Sequence, residues 1–397
     1  MKSKNLQLLL FFILVPLNLF SQTDYRKFHF ESIVADTHND VLMRAVEGED
    51  LSGRTTKGHS DLIRFKEGGV DVQFFSVWVA PSFLNVNGED HSYKRATAMI
   101  DSLNSLIKRN PQNIGLALNF NDVQKLINQK KLAALIGVEG GYPILDNINY
   151  LDTLFNKGMR YMTLTWNLNT PWATSAREES RIDTALQFKG LNEKGKEIVK
   201  RMNQLGIIID ISHVGEKTVD DVLSLTTKPV IASHSCVYKL TPAFRNLKDY
   251  QLKNIAKNNG VVFINFYAGF IDSTFRPKSD SIARFHKAAI DSLKTLPLHP
   301  DDITLAIEKY LSPFIEPIRP PLSKLVDHFD YIAKLVGVDH VGIGSDFDGV
   351  EALPQEMDDV TFLPNLTREL FLRGYSKNDV SKILGGNFMR VLKANTN

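Results

Sequence analysis

The chain has 397 residues, of which 43% are hydrophobic and 23% charged, with a formal net charge of +2. That length suits one large domain or two medium ones, and the composition is ordinary for a globular protein. Lys2 and Lys4 lie in an N-terminal leader, so the remainder carries 45 basic and 45 acidic residues, which leaves no electrostatic footprint for nucleic acid or an anionic surface.

The chain opens MKSKNLQLLLFFILVPLNLFSQT. Two lysines, an apolar run from Leu8 to Phe20 and a polar exit near Ser21 have the layout of a secretory signal peptide, read as residues 1–22. The run is short for a membrane span and holds Pro16, so no stable membrane insertion is expected once the signal is removed. The mature chain is expected to be exported, either periplasmic or secreted, and at most peripheral to the cell envelope. No Cys follows the apolar run, and the C-terminal NFMRVLKANTN has no hydrophobic tail, so lipid attachment is not expected at either end. Cys236 is the single cysteine, so stability must come from packing rather than from an internal disulfide.

After the leader one pattern recurs: an apolar, β-branched run ends in chemically able residues, and a helical stretch follows. The first strand is read over residues 32–40, where Ile33-Val34-Ala35 runs into Asp36, His38 and Asp40. Strict alternation would place those three side chains on one face. Further strands are read over 70–79, 132–137, 160–165, 207–211, 229–232, 261–266 and 340–343. Helices are expected over 93–109, 151–157, 192–205, 249–257 and 322–336, and two shorter ones over 376–384 and 387–394. Continuous apolar runs indicate strands covered on both faces, hence a parallel sheet. Eight such units favour a closed (β/α)8 TIM-type barrel. An open doubly wound sheet would normally carry a Gly-rich phosphate loop, and Gly137, Gly140 and Gly141 do not fit that spacing. Residues 271–321, rich in charge and proline, read as a helical insertion between strands seven and eight. The mature chain, 23–397, is expected to be a single domain.

The chemistry collects at strand ends. His38 and Asp40 follow strand one, Glu139 strand three, His213 strand five, His234 strand six and Asp346 strand eight. In a (β/α)8 barrel those ends meet at one mouth, where active sites lie. Three His, two Asp and one Glu exceed the needs of one zinc and suit two metals sharing a carboxylate, with Glu139 the natural bridge. Each residue alone would more often be structural; six on one rim are hard to explain that way. His29, His59, His91, His286, His299, His328 and His340 fall elsewhere and are read as structural. Cys236, close to His234, is read as a small buried hydrophobe.

The motifs DTHND (36–40), GGVDVQFFSVWV (68–79), GVEGG (137–141), GMRYMTLTWN (158–167), NTPWA (169–173), DISHV (210–214), SHS (233–235), RN (245–246), NFY (265–267) and GSDFDGV (344–350) run in order over almost the whole mature chain. With them the sequence resembles the membrane dipeptidase (renal dipeptidase) family of zinc metallopeptidases, whose barrel is of the metallo-dependent hydrolase kind. The resemblance implies two Zn2+ per chain, one held by His38 and Asp40 and the other by His213 and His234, with Glu139 bridging. It implies that Arg245 clamps the substrate's terminal carboxylate and that Asp346 manages protons beside a metal-bridging hydroxide. Tyr267 would line the pocket, Asp36 would orient a ligand, and Asp348 would serve a loop turn. The implied activity is hydrolysis of free dipeptides, including those with a C-terminal D-residue; a homodimer is a family expectation.

There is one departure. Where well-described animal members place a histidine after strand four, this chain has Trp166. Tryptophan offers a single donor and does not titrate, which leaves Asn167, Asn169 or the metals to stabilise the oxyanion and makes Trp166 a substrate-pocket residue. The departure motivates a second reading, a barrel metallohydrolase acting on a non-peptide amide or lactam. A third is a catalytically inactive metal-binding relative.

Overall fold

The computed structural model describes residues 22–80, 90–181, 185–297 and 300–396. The expected leader therefore lies outside the described residues except for Gln22, as does His299.

Nine strands are described: β1 Ala35–Asp36, β2 Val72–Trp78, β3 Ile114–Leu116, β4 Leu132–Glu139, β5 Met159–Thr163, β6 Ile208–Asp210, β7 Ile231–Ser235, β8 Val261–Ile264 and β9 Val341–Ile343. All pair in parallel. The order β1-β2-β4-β5-β6-β7-β8-β9, returning to β1, closes an eight-stranded barrel. The eight barrel strands are those anticipated from the apolar runs. β3 was not anticipated; it pairs with the start of β4, before the contact of β4 with β5 begins at Ile136.

The period of two sorts side chains between two cores. Val72 and Phe74 of β2, Ala133 and Leu135 of β4, Tyr161, Ile208, Ile231 and Phe263 fill the barrel, which the C-terminal helix Asn387–Thr396 plugs with Phe388 and Leu392. Phe75, Val77, Ile136 and Val138 point the other way, into the layer shared with the helices. Carried two steps further, the inward set brings Trp78 and Glu139 to the mouth, where the pairing of β2 with β4 sets them side by side.

Most helices follow local signals. Glu193–Leu205 begins at Asn192, whose side chain accepts from Gly195 N–H, and stops at Gly206 with φ +80°. Between β8 and helix Leu322–Val336 the described residues form four α-helices, Ala268–Ile271, Phe275–Phe285, Lys287–Lys294 and Pro300–Ile315, more than the two or so expected. Helices Gln22–Glu31, Phe120–Asn128, Glu216–Leu225 and Leu363–Leu372 complete the ring and were not singled out in the sequence. No helix among the described residues is long and apolar enough to cross a membrane.

Candidate metal centre

Strand β1 is shorter than residues 32–40 suggest. Regular pairing ends at Asp36, and the chain bends at Thr37. Ala35 faces the barrel interior, so Asp36 faces away from it. The Asp36 carboxylate accepts from Ser345 N–H at 2.8 Å and from Ser345 Oγ–H at 2.6 Å. Asp36 is thus a strut between β1 and the loop after β9, while His38, beyond the bend, reaches the mouth. Strict alternation fails at this bend, and Asp36 stands outside the cluster that holds His38 and Asp40.

Glu139 is the centre. Its Oε1 lies 2.9 Å from His213 Nε2 and 3.3 Å from His234 Nε2, and its Oε2 lies 3.4 Å from His38 Nε2. His38 Nε2 is also 3.4 Å from Asp40 Oδ2 and 3.8 Å from Asp346 Oδ1. The two oxygens of Glu139 therefore face two donor sets, His213 with His234 and His38 with Asp40 and Asp346. The groups His38–Glu139–His234 and His38–Asp40–Asp346 each bring three ligand atoms close enough for one ion.

All three histidines are held by their other nitrogen. Ser233 Oγ–H donates to Asp210 Oδ2 at 2.7 Å, so Ser233 Oγ accepts from His234 Nδ1–H at 2.8 Å. Asn167 Oδ1 accepts from His213 Nδ1–H at 3.0 Å, and Tyr161 Oη pairs with His38 Nδ1 at 2.8 Å. Such partners fix ring orientation and tautomer at metal sites. For His213 and His234 the tautomer leaves each Nε2 bare, and these two nitrogens lie 2.9 Å apart. Two lone pairs and a carboxylate oxygen converging on one buried point repel unless a cation lies between them.

The electrostatics agree. Burial, followed by the Arg245 charge, pushes His213 down to about 3, and burial with His38 pushes His234 well below its ordinary value, so both rest as neutral ligands. Burial opposes a charge on His38, but Tyr161, Asp40 and Glu139 outweigh it and hold that imidazole well above its usual range. Burial, opposed by His38 and assisted by Asp40 and Glu139, lifts the Asp346 carboxyl to about 8. His38 Nε2 and Asp40 Oδ1 are buried without a hydrogen-bond partner among the described residues. A Cβ on Gly349 would run into Asp40 Oδ2 and Asp346 Oδ1, so only glycine leaves room between the carboxylates. Unpartnered nitrogen and oxygen, crowded carboxylates and the neutral imidazoles of His213 and His234 are the donor chemistry a divalent cation requires.

Two ligand-bearing residues hold left-handed backbone, His213 at φ +62° and Asp346 at φ +63°. Such conformations cost about 1 kcal/mol or more for a non-glycine residue and gather at functional sites. Here they turn the chain sharply as it leaves β6 and β9. Asp346 Oδ2 accepts from Asn265 Nδ2 at 2.7 Å.

Arg245, in the loop after β7, is 3% exposed. Its Nη2 donates to His234 O at 3.0 Å and its Nη1 to Ser235 Oγ at 3.3 Å, while Nε has no hydrogen-bond partner among the described residues. It makes no ion pair among the described residues. Burial pulls it down to about 10 even though Asp346 and Glu139 favour its charge. Arg245 and His213 border a cavity of about 600 Å3 whose walls include Val214, Tyr238, Phe244 and Tyr250.

The remaining anticipated residues are placed as follows. The Trp166 ring lies 5.9 Å from that of His213 and 5.1 Å from that of Trp78. Tyr267 packs against Phe270 and Phe275 with Arg276 over its ring, in the small core of the insertion. The side-chain oxygen of Asn167 is occupied by His213, and that of Asn169 accepts from Ser175 N–H. Cys236 is buried, with its thiol donating to Asn265 O. Asp348 accepts from His59 N–H and pairs with Arg44, fastening the loop after β9.

Residues 22–397 match the family model described as membrane dipeptidase, peptidase family M19. The chain belongs to this family. An uncharacterized dipeptidase of Schizosaccharomyces pombe is 31% identical over 383 residues, covering 91% of this chain and 80% of its own. Among solved structures, the probable dipeptidase PvdM from Pseudomonas aeruginosa is similar with a TM-score of 0.79 at 25% identity, covering 94% of this chain and 98% of that one. A metallo peptidase from Rhodobacter sphaeroides, liganded with a phosphinate mimic of the dipeptide L-Ala-D-Ala, is similar with a TM-score of 0.75 at 26% identity, covering 92% and 99%. The M19 dipeptidase chain is therefore a metallopeptidase of eight-stranded barrel type, with buried His, Glu and Asp groups suited to metal.

Tyr161, Ser233 and Trp78 were not identified in the sequence as parts of the site, and Asn167, anticipated as an oxyanion donor, instead holds His213. Ser233 adjoins His234, and Trp78 shares the parity of Phe74, so both carried a faint local signal. Tyr161 carried none, because its partner His38 is 123 positions away.

Proposed function

We propose that the chain is an exported two-metal dipeptidase that cleaves the peptide bond of free dipeptides, including those ending in a D-residue, with residues 23–397 acting as one catalytic domain. The carrying observation is Arg245: a buried, unpaired guanidinium adjoining the Glu139 cluster. A buried cation without a counter-charge is costly, and a planar fork matches a carboxylate. The C-terminal carboxylate of a dipeptide is its natural partner, and the requirement for that end excludes longer chains that must run on past it.

His213 and His234 would hold one divalent cation and His38 and Asp40 the other, with Glu139 shared; zinc is the expected ion. When bound, such ions supply Lewis acidity and water of lowered pKa. Arg245 sets the substrate's register, so that its scissile carbonyl lies over Glu139. With cations offsetting the Asp40 and Glu139 charges that lift it, Asp346, held by Asn265, would be ionised, accept the proton of the attacking water and return it to the leaving amine as the C–N bond breaks. Support for tolerance of a D-residue comes from the Rhodobacter sphaeroides relative and its L-Ala-D-Ala mimic.

The test is metal content by mass spectrometry on the purified mature protein, paired with hydrolysis of L-Ala–L-Ala, L-Ala–D-Ala and Gly–D-Ala. About two zinc per chain, with turnover abolished by a chelator and restored by metal, is the expected result. Bound metal without hydrolysis of any dipeptide would overturn the reading and favour a non-peptide amide or lactam.

A further inference from the structure

The chain has three tryptophans. Trp172 is fully buried, and its indole N–H is bonded to Leu145 O. The other two differ. Trp78 and Trp166 are only partly buried and meet edge to face, with centroids 5.1 Å apart and planes at 63°. Trp78 ends β2 in register with Glu139, and Trp166 stacks towards His213. The pair therefore flanks the Glu139 cluster. The Trp78 indole N–H is buried without a hydrogen-bond partner among the described residues.

The ring order locates this pair against Arg245. In the closed sequence β1-β2-β4-β5-β6-β7-β8-β9, β2 stands opposite β7, four steps away in either direction. Arg245 belongs to the loop after β7. A dipeptide whose carboxylate meets Arg245 and whose scissile bond lies over Glu139 extends its N-terminal residue towards the opposite rim, where Trp78 stands and Trp166, after β5, meets it.

We propose that Trp78 and Trp166 form an aromatic wall for the side chain of the substrate's N-terminal residue, so that the chain selects dipeptides with a large apolar or aromatic residue at that end. This rests on the dipeptidase reading above and adds to it the substrate class. Indole faces reward contact with apolar and aromatic groups. They offer nothing to the side of a glycine, whereas discrimination by apolar pockets runs to roughly 10–200-fold per missing group.

The experiment compares kcat/KM for L-Phe–L-Ala, L-Leu–L-Ala and Gly–L-Ala on the zinc-supplemented full chain, with L-Ala–L-Phe and L-Ala–Gly as the reversed pair. Wild type is expected to favour L-Phe–L-Ala over Gly–L-Ala by at least about tenfold. Trp78→Ala and Trp166→Ala are expected to reduce that ratio towards unity, mainly through KM, while the ratio for the reversed pair stays within about threefold. Trp78→Phe, which keeps an aromatic face and loses the N–H, should restore most of the ratio and guards against an Ala variant that folds poorly. A wild type indifferent to the N-terminal side chain, or a preference the Trp variants leave intact, overturns the wall and leaves the dipeptidase reading standing. A wild type that cleaves none of the five dipeptides overturns both.

Discussion

Tyr161 Oη lies 2.8 Å from His38 Nδ1, and this contact joins the side chains that fill the barrel to those that line its mouth. Tyr161 belongs to the interior core with Phe74 and Leu135, and its hydroxyl emerges at the one level where the core gives way to ionisable groups. Gly137 makes the reach possible, because a Cβ there would overlap the Tyr161 ring. Removing the hydroxyl should leave the ring packed and free His38 to turn. We expect Tyr161→Phe to weaken metal binding by about 10–100-fold, in the range seen when a ligand loses its orienting partner. Competition against a chromogenic chelator measures it; unchanged affinity with altered thermal stability would make Tyr161 a packing residue only.

Arg245 gives a prediction that separates charge from shape. Arg245→Ala should lower kcat/KM for a free dipeptide about 100-fold, chiefly through KM, since hydrogen bonds to charged groups contribute about 1.5–3 kcal/mol. Arg245→Lys should recover only part, because an ammonium keeps the charge and loses the fork. The decisive comparison is a dipeptide against its C-terminal amide. Wild type should prefer the free acid strongly and Arg245→Ala should not. A variant that keeps the wild-type preference removes the clamp.

How much of this was legible in the sequence follows from the distance over which each feature is decided. The eight barrel strands were visible because each is a short apolar run that ends abruptly in polar residues, and His38, Glu139, His213, His234 and Asp346 were visible because they stand at those ends. Helix Leu322–Val336 carries its 3.6-residue period within itself and has the bounds expected for it. β3 is three residues long with no polar terminus, too little signal for a local pattern. Asp36 shows the opposite difficulty. Its neighbours fit strict alternation, but its carboxylate is held by Ser345, 309 positions away. The partners that set the histidine tautomers are likewise long-range in the main, and only Ser233 sits beside the residue it holds.

Gly349 tests whether the space between Asp40 and Asp346 serves metal. The glycine has no positive φ to protect, so Gly349→Ala adds steric bulk without backbone strain. The methyl group would press on two buried carboxylate oxygens that have little room to withdraw. We expect the variant to retain less metal after dialysis and to lose at least about 100-fold in kcat/KM, on the scale of misplaced catalytic geometry, with a thermal midpoint in excess chelator close to that of wild type in excess chelator. Full metal retention with full activity would show that the carboxylates adjust and that glycine is dispensable there.

His328 makes a prediction about stability that is independent of the chemistry. It is buried on helix Leu322–Val336, where Nδ1 accepts from Val237 N–H at 3.0 Å and Nε2–H donates to Ile271 O at 3.1 Å. A second proton on the ring would set one N–H against another. Burial, against the Ile271 hydrogen bond, pushes its pKa down to about 4 from an ordinary 6.5. Above pH 6.5 the folded and unfolded chains both carry the neutral ring, and His328 imposes no pH dependence. Between 6.5 and 4 the unfolded chain binds a proton that the folded chain refuses, so acidification drains stability, by about 2 kcal/mol at pH 5 and about 3 kcal/mol at pH 4. Urea unfolding of wild type and His328→Gln at pH 7 and pH 5 isolates this contribution, since every other titrating group is common to both. The loss between pH 7 and pH 5 should be smaller in the variant by about 2 kcal/mol. His29, also pushed down to about 4 by burial, is bonded to Thr367 Oγ and Gly68 O and should behave alike, so that the double variant flattens the acid limb further. Equal losses in wild type and His328→Gln would mean that the ring takes up its proton within the fold, by swinging away from Val237.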